Sequence, residues 1–293
     1  MVSDVGLAKA CTAARRRAGP WWKAALLAAP ALAVLMWFEE SFIYFPSRGG
    51  GETPGGRGIG YRDVALTTAD GVRLHAWHVP GQGPLTLLWL HGNAGHIGHR
   101  VEQLALIQRR LGVGVFMLDY RGYGRSEGTP SEQGTYYDAD AALAYLRATP
   151  EVDPAGVVLY GQSLGAAVAV ELATRERVRA LILEAPFASV PAMARAVYPW
   201  LPIWPLLRTR YDSLARIGGV RAPLLILHGE RDEVVPYDQG RALYAAAAEP
   251  KRFHRIVGAG HNDAYYRGGE GYWGALAAFL AELEQPEVPC PYR

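Results

Sequence analysis

Cysteine is scarce in this sequence: the 293-residue chain has two, Cys11 and Cys290, near its opposite ends and none between them. A disulfide framework and a cysteine-built zinc site are thereby excluded for the folded body. Charge of one sign is also lacking. Lysine and arginine total 30 against 28 acidic residues, and a formal net charge of +2 supplies no broad basic field, so no nucleic-acid partner is expected. There is no internal repeat. A chain that is 50% hydrophobic and 20% charged can bury a large core, which excludes disorder as its general state.

The N-terminus departs from this ordinary composition. Arg15, Arg16 and Arg17 precede an apolar run that closes at Glu39 and Glu40. A spanning helix needs about 17–25 residues, and residues 21–38 reach that length. Lys23 is near enough to the end to snorkel, and Trp21 and Trp22 suit the interface. A cleaved signal peptide is the competing reading, but the Ala-x-Ala triplets near Ala29–Ala33 fall inside the run rather than after it. The expectation is a basic cytoplasmic segment (1–20), a transmembrane anchor or uncleaved signal (21–38), a body (39–285) on the non-cytoplasmic side, and a proline-rich tail (286–293).

Within the body, residues 49–60 are rich in glycine and read as a surface loop. Two alternating runs, 61–68 and 72–79, flank Asp70-Gly71 and predict a hairpin. Thereafter short apolar runs (85–90, 113–119, 156–160, 178–184, 223–228, 252–257) alternate with helix-length segments (97–111, 132–147, 164–175, 237–248, 271–284). This is the pattern of a parallel sheet covered on both faces. The expected fold class is α/β, with about eight strands in one mostly parallel sheet. Residues 186–222, dense in Pro, Trp and Tyr, interrupt the rhythm and are expected to form a short cap over the strand ends.

The pattern Gly-x-Ser-x-Gly occurs twice, as "GRSEG" (124–128) and "GQSLG" (161–165). A nucleophile elbow requires a strand that ends at the first glycine, a strained serine, and a helix that starts at once. Around Ser163 all three are expected: the run 156–160 abuts Gly161, and Ala166, Ala167, Ala169 and Ala173 let the following helix pack closely. Around Ser126 three residues separate strand from motif, and Thr129-Pro130-Ser131 follow, which is a loop closed by a helix N-terminus. Ser163 is the expected nucleophile and Ser126 a loop residue.

A serine hydroxyl needs a base held by an acid, and in this architecture both follow the serine at later strand ends. Asp232 follows the run 223–228, and His261 follows the run 252–257. Glu184, at the end of the strand after the elbow, is the rival acid, while Asp212 reads as an N-cap and Asp238 as first-turn helix charge. Of the eight histidines, His91 and His228 are expected to orient loops, and His75, His78 and His254 to sit in strands. His96 and His99 are three apart, a conceivable metal pair that no carboxylate pattern supports. No metal and no cofactor are expected. The oxyanion of a tetrahedral intermediate would be held by the backbone N–H groups of Asn93, in the loop "HGNAG", and Leu164. An aspartate nucleophile is absent from the elbow.

Taken in order, "HGNAG", "DYRGYGRSEG", "GQSLG", "HGERDEVVP" and "GAGHND" resemble the α/β-hydrolase superfamily over about residues 40–283. With "ESFIYFPSR" and "YDSLARI" they more narrowly resemble its membrane-anchored, small-capped serine hydrolases, relatives of eukaryotic abhydrolase-domain depalmitoylating thioesterases. The N-terminus departs from those enzymes, having a hydrophobic segment and one cysteine in place of a cysteine cluster. The resemblance implies an α/β-hydrolase fold and cleavage of an ester or thioester by Ser163, His261 and Asp232. It also implies that the "DYRGYG" loop lies beside the site. An amidase or peptidase with the same triad, and a non-catalytic membrane-anchored binding protein, are the alternative readings. The aromatic cap and the tether point to a lipid-like or long-acyl small-molecule substrate.

Overall fold

The computed structural model describes residues 39–285. The expected segments 1–20, 21–38 and 286–293 lie outside the described residues. Among the described residues, no helix is long and apolar enough to cross a membrane.

After a 3-10 turn at Glu39–Phe42 and a two-residue strand β1 (Phe45–Pro46), strands β2 (Arg62–Thr67) and β3 (Arg73–Val79) form the hairpin expected from Asp70-Gly71. Gly71 takes φ +85°, a conformation that a side chain would strain. The glycine-rich stretch before it contains a 3-10 turn at Pro54–Arg57. Then follow β4 (Thr86–Leu90), β5 (Ala94–Gly95), α1 (Val101–Leu111), β6 (Gly114–Leu118), α2 (Glu132–Ala148), β7 (Val157–Gln162), α3 (Leu164–Arg175) and β8 (Ala180–Glu184). The chain continues through α4 (Val190–Val197), α5 (Ser213–Arg216), β9 (Leu224–Gly229), α6 (Tyr237–Ala246), β10 (Lys251–Ile256), α7 (Ala264–Arg267) and α8 (Gly269–Glu284).

Eight strands make one sheet in the order β10-β9-β8-β7-β4-β6-β3-β2, parallel from β10 to β6 and antiparallel where β3 meets β6 and β2. Each central strand is apolar on both faces, and successive side chains divide between two cores as the pleat requires. Leu88, Leu90, Phe116, Leu118, Leu159, Leu181 and Leu183 pack with α2 and α3. Leu87, Trp89, Val115, Met117, Val158 and Ile182 pack with α1 and α8 on the other side. Within the run 178–184, residues 180–183 are apolar and buried because both faces of the sheet are covered.

The chain leaves β4 for β6 on one side and returns to β7 on the other. Strand order therefore reverses between β4 and β7, and the crevice beyond their carboxyl ends is where open α/β sheets bind ligands. Asn93 follows β4 and Ser163 follows β7.

Residues 186–222 hold short helices, the longest being the eight-residue α4, as their prolines dictate. Their return arm is fastened by carboxylates. Glu39 accepts the backbone N–H groups of Arg208 (3.1 Å) and Thr209 (2.7 Å), and Glu132 accepts those of Arg210 (2.6 Å) and Tyr211 (2.8 Å). Tyr211, buried at φ +39°, bonds Tyr44 (2.9 Å) and Thr135 (2.8 Å) through its hydroxyl.

Candidate active site

The two Gly-x-Ser-x-Gly stretches adopt different structures. β7 runs through Gln162 into Ser163, which sits at φ +50°, ψ −111°, and α3 begins at Leu164. A non-glycine residue in that region is strained and is retained where the surroundings over-determine it. Here the surroundings are backbone. A Cβ at Gly161 would lie 2.5 Å from the Gly165 carbonyl oxygen, and one at Gly165 would overlap the Leu90 carbonyl. The glycines permit the close strand–helix approach that lifts the serine.

Ser126 is instead an internal bracket. It is 1% exposed, its hydroxyl donates to the Asp119 carbonyl at 2.6 Å, and it accepts the His75 backbone N–H at 2.9 Å. Its flanking glycines take φ +48° at Gly124 and +80° at Gly128, serving the loop rather than an elbow. Asp119, at the end of β6, also accepts the Ile97 N–H (2.9 Å) and touches His75 Nδ1 (3.1 Å). The loop after β6 is thus tied to β3 and to the loop after β4.

Asp232 and His261 meet as expected. Asp232 Oδ2 lies 2.8 Å from His261 Nδ1 and 3.5 Å from His228 Nε2, while Oδ1 accepts the N–H groups of Val234 (2.9 Å) and Val235 (2.7 Å). Burial by itself would raise the pKa of this carboxyl, but the bonds from His228, His261 and Val235 outweigh it and hold the group well below the usual carboxylate range. An ionised Asp232 accepts a hydrogen bond from Nδ1–H of His261, which leaves Nε2 as the basic nitrogen. His228, expected to orient a loop, also contacts the Val235 carbonyl at 3.1 Å and so helps hold the Asp232 turn.

Ser163 and His261 line one cavity of about 600 Å³. No hydrogen bond joins them, and such contacts commonly tighten when substrate binds. Glu184, the rival acid, is committed elsewhere: Oε2 accepts the Tyr160 and Tyr272 hydroxyls, each at 2.6 Å, and Oε1 accepts Gln162 at 3.1 Å. Asp212 caps α5 through the Ala215 N–H at 3.3 Å, and Asp238 lies in the first turn of α6. The His96 and His99 rings lie against each other, tilted by 41° with centroids 4.1 Å apart. Among the described residues, no group of three His, Cys, Asp or Glu side chains is placed to hold a metal.

The loop carrying Asn93 is braced from a segment whose role the sequence does not announce. Asn93 Nδ2 donates to the Ile43 carbonyl (2.9 Å), and its own carbonyl accepts the Phe45 N–H (2.9 Å) and the Tyr123 hydroxyl (2.7 Å). β1 pairs with β5, and Arg48 reaches the carbonyls of Ser126 (2.6 Å) and Gly128 (3.1 Å). These contacts leave the Asn93 N–H without an acceptor among the described residues. The Leu164 N–H opens α3, where N–H groups have no intrahelical partner and the helix dipole is positive. His91 beneath them is buried against Tyr120 and Tyr123, and burial pushes it down to about 3, so it stays neutral.

The cavity wall is more polar than a long-acyl substrate requires, with Arg100, Gln103, Gln162, Glu184, Asn262 and Tyr265 among its residues. None of the lining residues comes from 186–222. The aromatics of that insertion divide: Phe187 and Tyr211 are buried, whereas Trp200 (74%) and Tyr198 (47%) are exposed.

A strained serine between strand and helix at a sheet's switch point, with an Asp–His pair delivered by later strands, defines a class of α/β proteins. The family model described as serine aminopeptidase, S33 (Hydrolase_4) matches residues 84–213. The Mycobacterium tuberculosis protein Rv2307c is 42% identical over 275 residues, covering 92% of this chain and 96% of its own length. The Arabidopsis thaliana alpha/beta hydrolase domain-containing protein WAV2 is 37% identical over 284 residues, covering 87% and 91% respectively. Among solved structures, the Pyrococcus furiosus esterase Pf2001 matches with a TM-score of 0.69 at 22% identity, covering 82% of this chain and 98% of that one. That likeness speaks to the fold. This chain belongs to the α/β-hydrolase superfamily, and the chemistry of that scaffold is hydrolysis.

Proposed function

We propose that this protein is a serine hydrolase that cleaves carboxylic ester or thioester bonds of small molecules through an acyl-enzyme. The observation that carries the reading is the 2.8 Å bond by which Asp232 holds His261, a residue that lines one cavity with Ser163. His261 Nε2 takes the Ser163 proton as the hydroxyl oxygen attacks the carbonyl carbon. The carbonyl oxygen, now an oxyanion, is held by the N–H groups of Asn93 and Leu164, one such donor being worth about 10²–10³ in rate. His261 then gives its proton to the departing alcohol or thiol. Water, activated by the same nitrogen, releases the acid. Asp232 fixes the imidazole tautomer and stabilises its cation.

Residues 21–38 are proposed to anchor the protein in a membrane with the body on the non-cytoplasmic side. A reporter fused to the C-terminus is expected to be active outside the cytoplasm, and activity confined to the cytoplasm overturns the assignment. A peptidase reading is favoured by the description of the matched family model; aminoacyl p-nitroanilides cleaved faster than the matching esters would establish it. The experiment for the main reading is fluorophosphonate labelling. Wild type is expected to label and Ser163→Ala not to; resistance of wild type, or labelling of the variant, sinks it.

A further inference from the structure

Arg100 closes the 3-10 turn Ile97–Arg100 and turns its guanidinium back under the loop after β4. Nη1 donates to the His96 carbonyl at 2.9 Å and Nη2 to the Ala94 carbonyl at 3.0 Å. These use two of the five N–H groups that a guanidinium carries. No carboxylate among the described residues lies within 4.0 Å of it. The buried guanidinium of Arg121 is instead paired with both Asp70 (2.7 Å) and Asp138 (2.8 Å). Burial presses on the Arg100 cation and lowers its pKa, yet an arginine stays charged in proteins. Arg100 is half-buried, and a cation withdrawn in part from water with no carboxylate beside it is available to pair with an incoming anion.

Its position says what could pair with it. Arg100 lines the cavity that holds Ser163 and His261. A Cβ built on Gly92 would lie 3.6 Å from Ser163 Cβ and 3.8 Å from Arg100 Nη2, so the nucleophile and the guanidinium flank one point. The carboxylate sharing the cavity, Glu184, has its oxygens engaged by Tyr160, Tyr272 and Gln162. The remaining wall offers neutral hydrogen-bonding groups such as Gln103 and Asn262.

We propose that Arg100 is the receptor for an anionic oxygen group, carboxylate or phosphate, that the substrate carries within a few bonds of its scissile carbonyl. The proposal rests on the ester-hydrolase reading and narrows its substrate class to anionic acyl compounds. Arg100 also steadies the carbonyls of Ala94 and His96, so its removal weakens turnover in general. The specific signature is the ratio of kcat/KM for an anionic ester to that for a neutral ester of the same length.

The test compares mono-p-nitrophenyl succinate with p-nitrophenyl butyrate on the full chain. Wild type is expected to prefer the succinate, with the preference shrinking as salt is added. Arg100→Gln is expected to lower the ratio by about ten- to a hundredfold, the worth of a charge-assisted hydrogen bond, with Arg100→Lys recovering part of it. A ratio unchanged in Arg100→Gln overturns the proposal and assigns Arg100 to bracing alone. Should that variant not fold, protection of wild-type Ser163 from fluorophosphonate decides. Succinate or inorganic phosphate should protect at lower concentration than dimethyl succinate, and whichever anion is stronger identifies the group; equal protection by the diester overturns the proposal. A wild type that labels but shows no anionic preference defeats this inference and leaves the hydrolase reading intact, whereas one that never labels defeats both.

Discussion

Replacing Ser126 by alanine separates a serine that holds the fold from the one proposed as nucleophile. The Ser126 hydroxyl satisfies two buried backbone groups, the Asp119 carbonyl at 2.6 Å and the His75 N–H at 2.9 Å, and at 1% exposure water does not reach the position. Each buried polar group left unpaired costs about 1–3 kcal/mol, so the substitution is expected to destabilise by about 2–6 kcal/mol. In a domain of this size about 1 kcal/mol moves Tm by about 2–4 °C, which places the fall at roughly 4–24 °C. The nucleophile and the Asp232–His261 pair are untouched, so fluorophosphonate labelling per folded molecule should stay within about threefold of wild type. Ser163→Ala should do the reverse, leaving Tm within a degree or two and abolishing labelling, because the Ser163 hydroxyl makes no hydrogen bond within the fold. The assay is a thermal melt beside gel labelling of both variants. A Ser126→Ala protein that melts like wild type but does not label refutes the reasoning.

Three further perturbations follow from the same geometry. Asp232→Asn should lower kcat/KM by about 10⁴-fold, the cost of a wrong imidazole tautomer in such a site, with a folded protein by circular dichroism; a loss under tenfold would assign the acid elsewhere. The Asp232 carboxyl is held below its unfolded pKa, so its contribution to stability is present above about pH 4 and fades as pH falls below that. The Tm gap between wild type and Asp232→Asn should therefore narrow in acid, and a gap that widens contradicts the assignment. Glu39→Ala frees the N–H groups of Arg208 and Thr209 and should speed tryptic cleavage within 195–210 several-fold, as Glu132→Ala should through Arg210 and Tyr211.

Much of the sheet was legible because its runs are long enough to carry a period. α3 was expected at 164–175 and spans Leu164–Arg175; the hairpin followed from Asp70-Gly71. The different settings of Ser126 and Ser163 were also legible, since they depend on whether strand and helix abut the motif. What stayed hidden are contacts made by residues without a pattern of their own. β1 is two residues long and has no alternation, yet it braces Asn93. Arg100 reads as one basic residue at a helix start until its guanidinium is seen folded toward the cavity. The sequence also records the number of aromatics in 186–222 but not their direction: Phe187 and Tyr211 turn inward, and Trp200 and Tyr198 face outward.

The central claim is that Ser163 is the nucleophile. Treating the full chain with a fluorophosphonate and locating the adduct by peptide mass spectrometry tests it most directly. The account predicts a single phosphonylated serine, Ser163, in the peptide containing "GQSLG", lost in Ser163→Ala and strongly slowed in Asp232→Asn. An adduct on Ser126, or none on a folded wild-type protein, contradicts it.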